Sequence, residues 1–120
     1  MPVKTILIVD DSPTERHVLS ELLTRHGYVV STAEDGDSGM ARAKDLHPDL
    51  ILMDVIMPGT NGFQATRALT RDNETKDIPV ILCTSKNQET DKIWGMRQGA
   101  RDYVTKPLNH DELLTKIASI

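Results

Sequence analysis

A chain of 120 residues is long enough to bury one core and form one domain, and its 38% apolar and 27% charged residues exclude wholesale disorder. The formal net charge of −4, without any basic block, argues against nucleic acid or an anionic membrane as the main partner, because phosphate surfaces are bound through clustered Lys and Arg. Cys83 stands alone and excludes an internal disulfide, and no apolar run nears the ~18 residues of a membrane span, so the expectation is a cytoplasmic protein with no membrane insertion.

Along the chain, short apolar runs alternate with longer amphipathic stretches. The runs Ile6–Val9, Tyr28–Val30, Leu50–Met53, Val80–Cys83 and Tyr103–Val104 read as five strands. Several are apolar without alternation, as parallel strands covered on both faces are. The first helix starts at Ser12, with Pro13 at its first position and Glu15 completing an S-x-x-E capping box. Val18, Leu19, Leu22 and Leu23 share its inner face, and Gly27 ends it.

A second helix is expected over about Asp37–Leu46, carrying Met40, Ala43 and Leu46, and a third from Gly62 into the Arg71 region. The fourth spans about Asn87–Gln98 and stops at Gly99. The fifth starts near Asn109, with Leu113, Leu114 and Ile117 inward. Five strand–helix repeats predict an α/β fold with a parallel sheet and right-handed crossovers, in which ligands bind at the carboxyl ends of the strands.

Those ends carry one kind of chemistry. Strand one runs into Asp10 and Asp11, strand three into Asp54, strand four into Thr84 and Ser85, and strand five into Lys106 and Pro107. One aspartate at a strand end is ordinarily a cap or turn former. Three carboxylates gathered on one sheet edge repel each other unless a cation sits among them. An oxygen-rich pocket of this kind suits Mg²⁺, Lys106 offers a point charge to a phosphoryl oxygen, and Thr84 offers a hydroxyl. The set matches phosphoryl transfer onto a carboxylate.

The D-D pair, D-V-I-M-P-G-T-N-G around Asp54, the T-S pair and Y-V-T-K-P together resemble the receiver domain of bacterial response regulators. The likeness covers residues 1–120 as one receiver domain with no output domain. It implies the doubly wound, flavodoxin-like order 2-1-3-4-5 with five flanking helices. The stretch E-T-D-K-I-W-G-M-R-Q-G-A-R-D-Y-V-T-K-P is similar to stand-alone regulators of twitching motility and type IV pili.

The resemblance implies the following roles. Asp54 accepts the phosphoryl group, Asp11 binds Mg²⁺ directly, Asp10 binds it through water, and the Ile56 carbonyl adds an oxygen. Lys106 and Thr84 contact the phosphoryl group, Ser85 leaves access, and Lys106–Pro107 is a cis peptide that aims the lysine inward. Tyr103 and Thr84 form the switch. Lys92, Met96, Tyr103 and Lys116 mark the partner face. The implied partners are a sensor histidine kinase as phosphodonor and a downstream protein target or motor component. Function as a phosphate sink, or as a binding module independent of phosphorylation, stays open beside this.

Ile56, two residues past Asp54, offers no hydrogen bond to a hydrolytic water, and Lys86 lies two past Thr84. The chain therefore lacks the second carboxylate that phosphohydrolases using an aspartyl phosphate place at the Ile56 position, and a dedicated enzyme is not expected. A flavin carrier of the same fold is disfavoured by the Gly-free, acidic D-D-S-P-T-E loop. Trp94 reads first as a residue covering core and second as a partner anchor. Cys83 reads as buried and inert, and His17, His26, His47 and His110 read as surface residues.

Overall fold

Alternation along β1 (Thr5–Val9) sets the architecture. Ile6 and Ile8 share one side of the sheet and Leu7 and Val9 the other, and none is more than 1% exposed, because successive strand side chains project to opposite faces. Both faces must be covered. The computed structural model, which describes residues 2–120, shows how.

Along the chain follow α1 (Pro13–Arg25), β2 (Val29–Ala33), α2 (Gly36–Leu46), β3 (Leu50–Met53), α3 (Gly62–Arg71), β4 (Val80–Thr84), α4 (Glu89–Arg97), β5 (Asp102–Thr105) and α5 (His110–Ala118). The five strands form one sheet in the order β2-β1-β3-β4-β5, parallel throughout. Leu19 and Leu23 of α1 and Leu113 and Ile117 of α5 cover the Ile6–Ile8 side. Ala43 of α2 and Ala65 and Leu69 of α3 cover the Leu7–Val9 side. Each fully buried leucine contributes roughly 1.5–3 kcal/mol relative to exposure.

Several local expectations are corrected. β2 runs on through Ser31 and Thr32 to Ala33, since the β1 ladder pairs them despite their polarity. The inner face of α1 is narrower than its pattern, with Leu19 and Leu23 buried and Val18 44% exposed. α4 begins at Glu89, because Asn87 and Gln88 serve its entry, where Asp91 Oδ2 accepts the Gln88 N–H at 3.3 Å. The capping box at α1 closes on one side only. Ser12 Oγ accepts the Glu15 N–H at 3.3 Å, but the Ser12 N–H goes to Asp10 Oδ1 at 2.9 Å.

Trp94 does not cover core. It is 48% exposed, and Ile93 and Met96 beside it are 47% and 40% exposed. The reason lies in Gly95, the one buried residue of α4. A Cβ there would stand 2.7 Å from Leu82 Cδ1 and 3.1 Å from Tyr103 Cδ2, so the helix rests on the body through its bare backbone at that point. With about 100° between successive residues, Trp94 is turned away from that contact.

Candidate functional site

Backbone hydrogen bonds carry the strand ladder one step past β1 and β3. Asp10 N–H donates to Ala33 O at 3.1 Å and Asp54 N–H to Val9 O at 2.9 Å. This step places the two aspartates side by side, 3% and 7% exposed. Asp11 follows at the solvent edge. One carboxylate oxygen from each of Asp10, Asp11 and Asp54 lies within 4.8 Å of the others, a donor set of oxygens only, which fits a hard divalent cation.

Lys106 reaches the same point from the end of β5, its N–H held by Thr84 O at 2.8 Å. Its Nζ stands 2.9 Å from Asp10 Oδ2, 3.5 Å from Asp54 Oδ2 and 4.0 Å from Glu15 Oε2. Both Asp10 oxygens are thus engaged, one by the Ser12 N–H and one by Lys106. Asp54 Oδ1 accepts the Val55 N–H at 2.7 Å. The Lys106–Pro107 peptide is cis.

The electrostatics follow from burial. Desolvation raises the Asp54 pKa above its ordinary value; Lys106 opposes the shift and the Asp10 charge adds to it. Burial works against the Lys106 ammonium, but its bond to Asp10 and the charges of Asp54 and Asp10 outweigh that and raise its pKa. Asp54 is therefore a desolvated, more basic carboxylate facing a fixed cation.

The loop after Asp54 is fixed from α3. Gly62 N–H donates to Val55 O at 2.9 Å, and any Cβ at Gly62 would overlap the Asp54 carbonyl oxygen. Only glycine admits that approach. On this loop Ile56 is 55% exposed. Across the site Thr84 is fully buried, its Oγ1 accepting the Lys86 N–H at 3.3 Å, and Ser85 is exposed.

Tyr103 is turned inward and 6% exposed, with its hydroxyl donating to Lys86 O at 2.7 Å. Burial, with the charges of Asp91 and Asp54, pushes its phenol up to about 12. It is therefore not presented on the expected partner face. On that face Lys92 and Met96 are exposed, and Lys116 is tied to Asp102 at 2.9 Å. Cys83 is buried and its thiol is pushed up to about 12 by desolvation.

Two residues beside the site escaped the sequence reading. Arg16 Nη1 donates to Asp10 O at 2.7 Å, and Glu15 faces Lys106. Both lie in S-P-T-E-R, where the capping pattern supplied a sufficient local reason for Glu15. None of the charged site residues lines the cleft of about 320 Å³ between α2 and α3, formed by Met40, Lys44, Leu69 and Asp72 among others. Of the three carboxylates of the acid cluster only that of Asp11 is exposed.

A sequence model of the response regulator receiver domain matches residues 6–118. The chain belongs to the receiver-domain family. Among its relatives, Protein PilH of Pseudomonas aeruginosa is 58% identical over 96% of this chain and 95% of its own length. The phosphate regulon regulator PhoB of the same organism is 43% identical over 98% of the chain, which spans 51% of that longer protein. Of solved structures, chemotaxis protein CheY4 of Vibrio cholerae superposes with a TM-score of 0.91 at 32% identity, covering 98% of each chain. A response regulator from Chloroflexus aurantiacus gives 0.91 at 31% identity over all of both chains. The receiver fold and its two-component signalling class are thus shared across the whole chain.

Proposed function

We propose that this receiver takes a phosphoryl group from a sensor histidine kinase onto Asp54 and signals by a change of surface that a downstream protein reads. The observation that carries this reading is the pairing of a desolvated Asp54 with the Lys106 ammonium at 3.5 Å, beside two further carboxylates. An Asp54 oxygen attacks the donor phosphorus, the bond from phosphorus to the kinase histidine nitrogen breaks, and that nitrogen keeps the electron pair. Lys106 neutralises charge on Asp54 and on the incoming oxygens, while Thr84 offers its hydroxyl to the group once attached.

Asp11, Asp54 and the Ile56 carbonyl would hold Mg²⁺, with Asp10 acting through water because both its oxygens are already engaged. Bound there, the ion offsets the negative charge of the phosphoryl oxygens. Turnover as a dedicated enzyme is not part of this reading, since Ile56 provides no acid or base next to Asp54.

The exposed Ile93, Trp94 and Met96 of α4 favour output by protein contact over service as a phosphate sink. The pathway reading is cytoplasmic control of type IV pilus twitching motility or chemotaxis. It is supported by the likeness to Protein PilH and to chemotaxis protein CheY4. The test is transfer from radiolabelled candidate kinases with Mg²⁺ to the wild type and to Asp54→Ala. Label is expected on the wild type alone, and persistent label on the Ala variant overturns the assignment.

A further inference from the structure

Glu15 is placed by a competition that the local sequence does not reveal. Its S-x-x-E spacing predicts that its side chain turns back to the Ser12 N–H. That N–H is taken by Asp10 Oδ1 at 2.9 Å. Glu15 is released from capping and its Oε2 lies 4.0 Å from Lys106 Nζ. Its side chain is 41% exposed, against 4% for Asp10 and 9% for Asp54. Among the described residues Lys106 thus meets three carboxylates, two of them buried and the third, that of Glu15, partly exposed.

We infer that Glu15 is a specificity-determining residue of this site, a carboxylate at its mouth that shields Lys106 from free anionic phosphodonors. This rests on the phosphoacceptor reading of Asp54. A small dianion approaching Asp54 must come toward Lys106 and pass Glu15, which repels it and holds part of the lysine's field. Asp54 attacks phosphorus in either case. With acetyl phosphate the phosphorus–oxygen bond breaks and acetate leaves with the electron pair. With phosphoramidate, whose nitrogen is already protonated as –NH3⁺, the phosphorus–nitrogen bond breaks and ammonia leaves with the electron pair. The chemistry of the acceptor is unchanged by Glu15, and what Glu15 alters is the cost of bringing negative charge to it.

The Glu15 carboxylate accepts no capping bond, since the Ser12 N–H goes to Asp10, so Glu15→Gln keeps the α1 start, checked by its melting temperature. With saturating Mg²⁺ and low ionic strength, Glu15→Gln takes phosphate from acetyl phosphate roughly three- to tenfold faster than wild type, as expected for removing one unit charge at several ångströms from a dianion. The gain is smaller with the less negative phosphoramidate, and it shrinks toward nothing near 1 M salt, where the screening length is about 3 Å. Glu15→Lys gains more, and Glu15→Asp behaves as wild type.

Rates are read by intact mass, with the modified residue located by peptide mapping. Equal or slower rates for Glu15→Gln with both donors, or a gain independent of salt and donor charge, overturn the role of Glu15 while leaving Asp54 as acceptor. Absence of the group from Asp54 in the wild type overturns both.

Discussion

The Tyr103 hydroxyl donates to the backbone carbonyl of Lys86 at 2.7 Å, so β5 holds the loop that leads from Thr84 at the end of β4 through Ser85 and Lys86 into α4. The same ring lies against the bare backbone of Gly95. One aromatic side chain therefore ties both the entry and the middle of a helix whose apolar residues otherwise face solvent.

Tyr103→Phe keeps the ring and removes the hydroxyl. The Lys86 carbonyl loses its partner, at a cost of about 1 kcal/mol. Urea denaturation measures that loss. Amide exchange across residues 86–92 rises well above the global change, because the bond restrains this entry locally. Unchanged exchange there would show that the hydroxyl does not hold the loop.

Asp54→Asn alters the pH dependence of stability in metal-free solution. The folded pKa of Asp54 is raised above its ordinary 3.8, chiefly by burial. The native state therefore keeps its proton longer than the unfolded chain, and stability falls as pH rises from 3.8 through the raised value. The Asn variant lacks that fall. Urea midpoints between pH 3 and pH 7 should drop less for the variant than for the wild type, apart from effects common to both.

Ile56→Asn accelerates loss of phosphate from phosphorylated protein. Ile56 is 55% exposed at the edge of the site and offers no hydrogen bond to an attacking water. An amide there supplies one, worth roughly a two- to tenfold rate gain for 0.5–1.5 kcal/mol. A phosphate-release assay in which the variant is no faster removes the idea.

Trp94→Gln changes stability by less than about 1.5 kcal/mol, because half the indole is already in water. Leu113→Ala, at a fully buried position in α5, costs about 2–5 kcal/mol. Chemical denaturation compares the two directly. A Trp94 loss as large as that of Leu113 would return the residue to the core.

The fold was legible in the sequence because its signals act over short distances. Apolar runs such as Leu50–Met53 and Val80–Cys83 mark strands covered on both sides, and Pro13, Gly27 and Asn109 mark helix ends through chemistry local to each. The site residues were legible for a related reason: parallel strands bring their carboxyl ends to one edge, so Asp10, Asp54, Thr84 and Lys106 had to gather. β2 was underestimated since the polarity of Ser31 and Thr32 hides a partner that lies on another strand.

Side-chain destinations followed a different rule. Asp10 and Glu15 compete through space for Ser12 N–H and Lys106, groups drawn together from both ends of the chain, and spacing within one helix says nothing of the outcome. Trp94 points to water because Gly95 docks α4 by its backbone, and Tyr103 points inward because Lys86 O offers a bond there. Periodicity and caps are properties of neighbouring residues, whereas the partner of a hydrogen bond or a charge depends on every group within a few ångströms, whatever its distance along the chain.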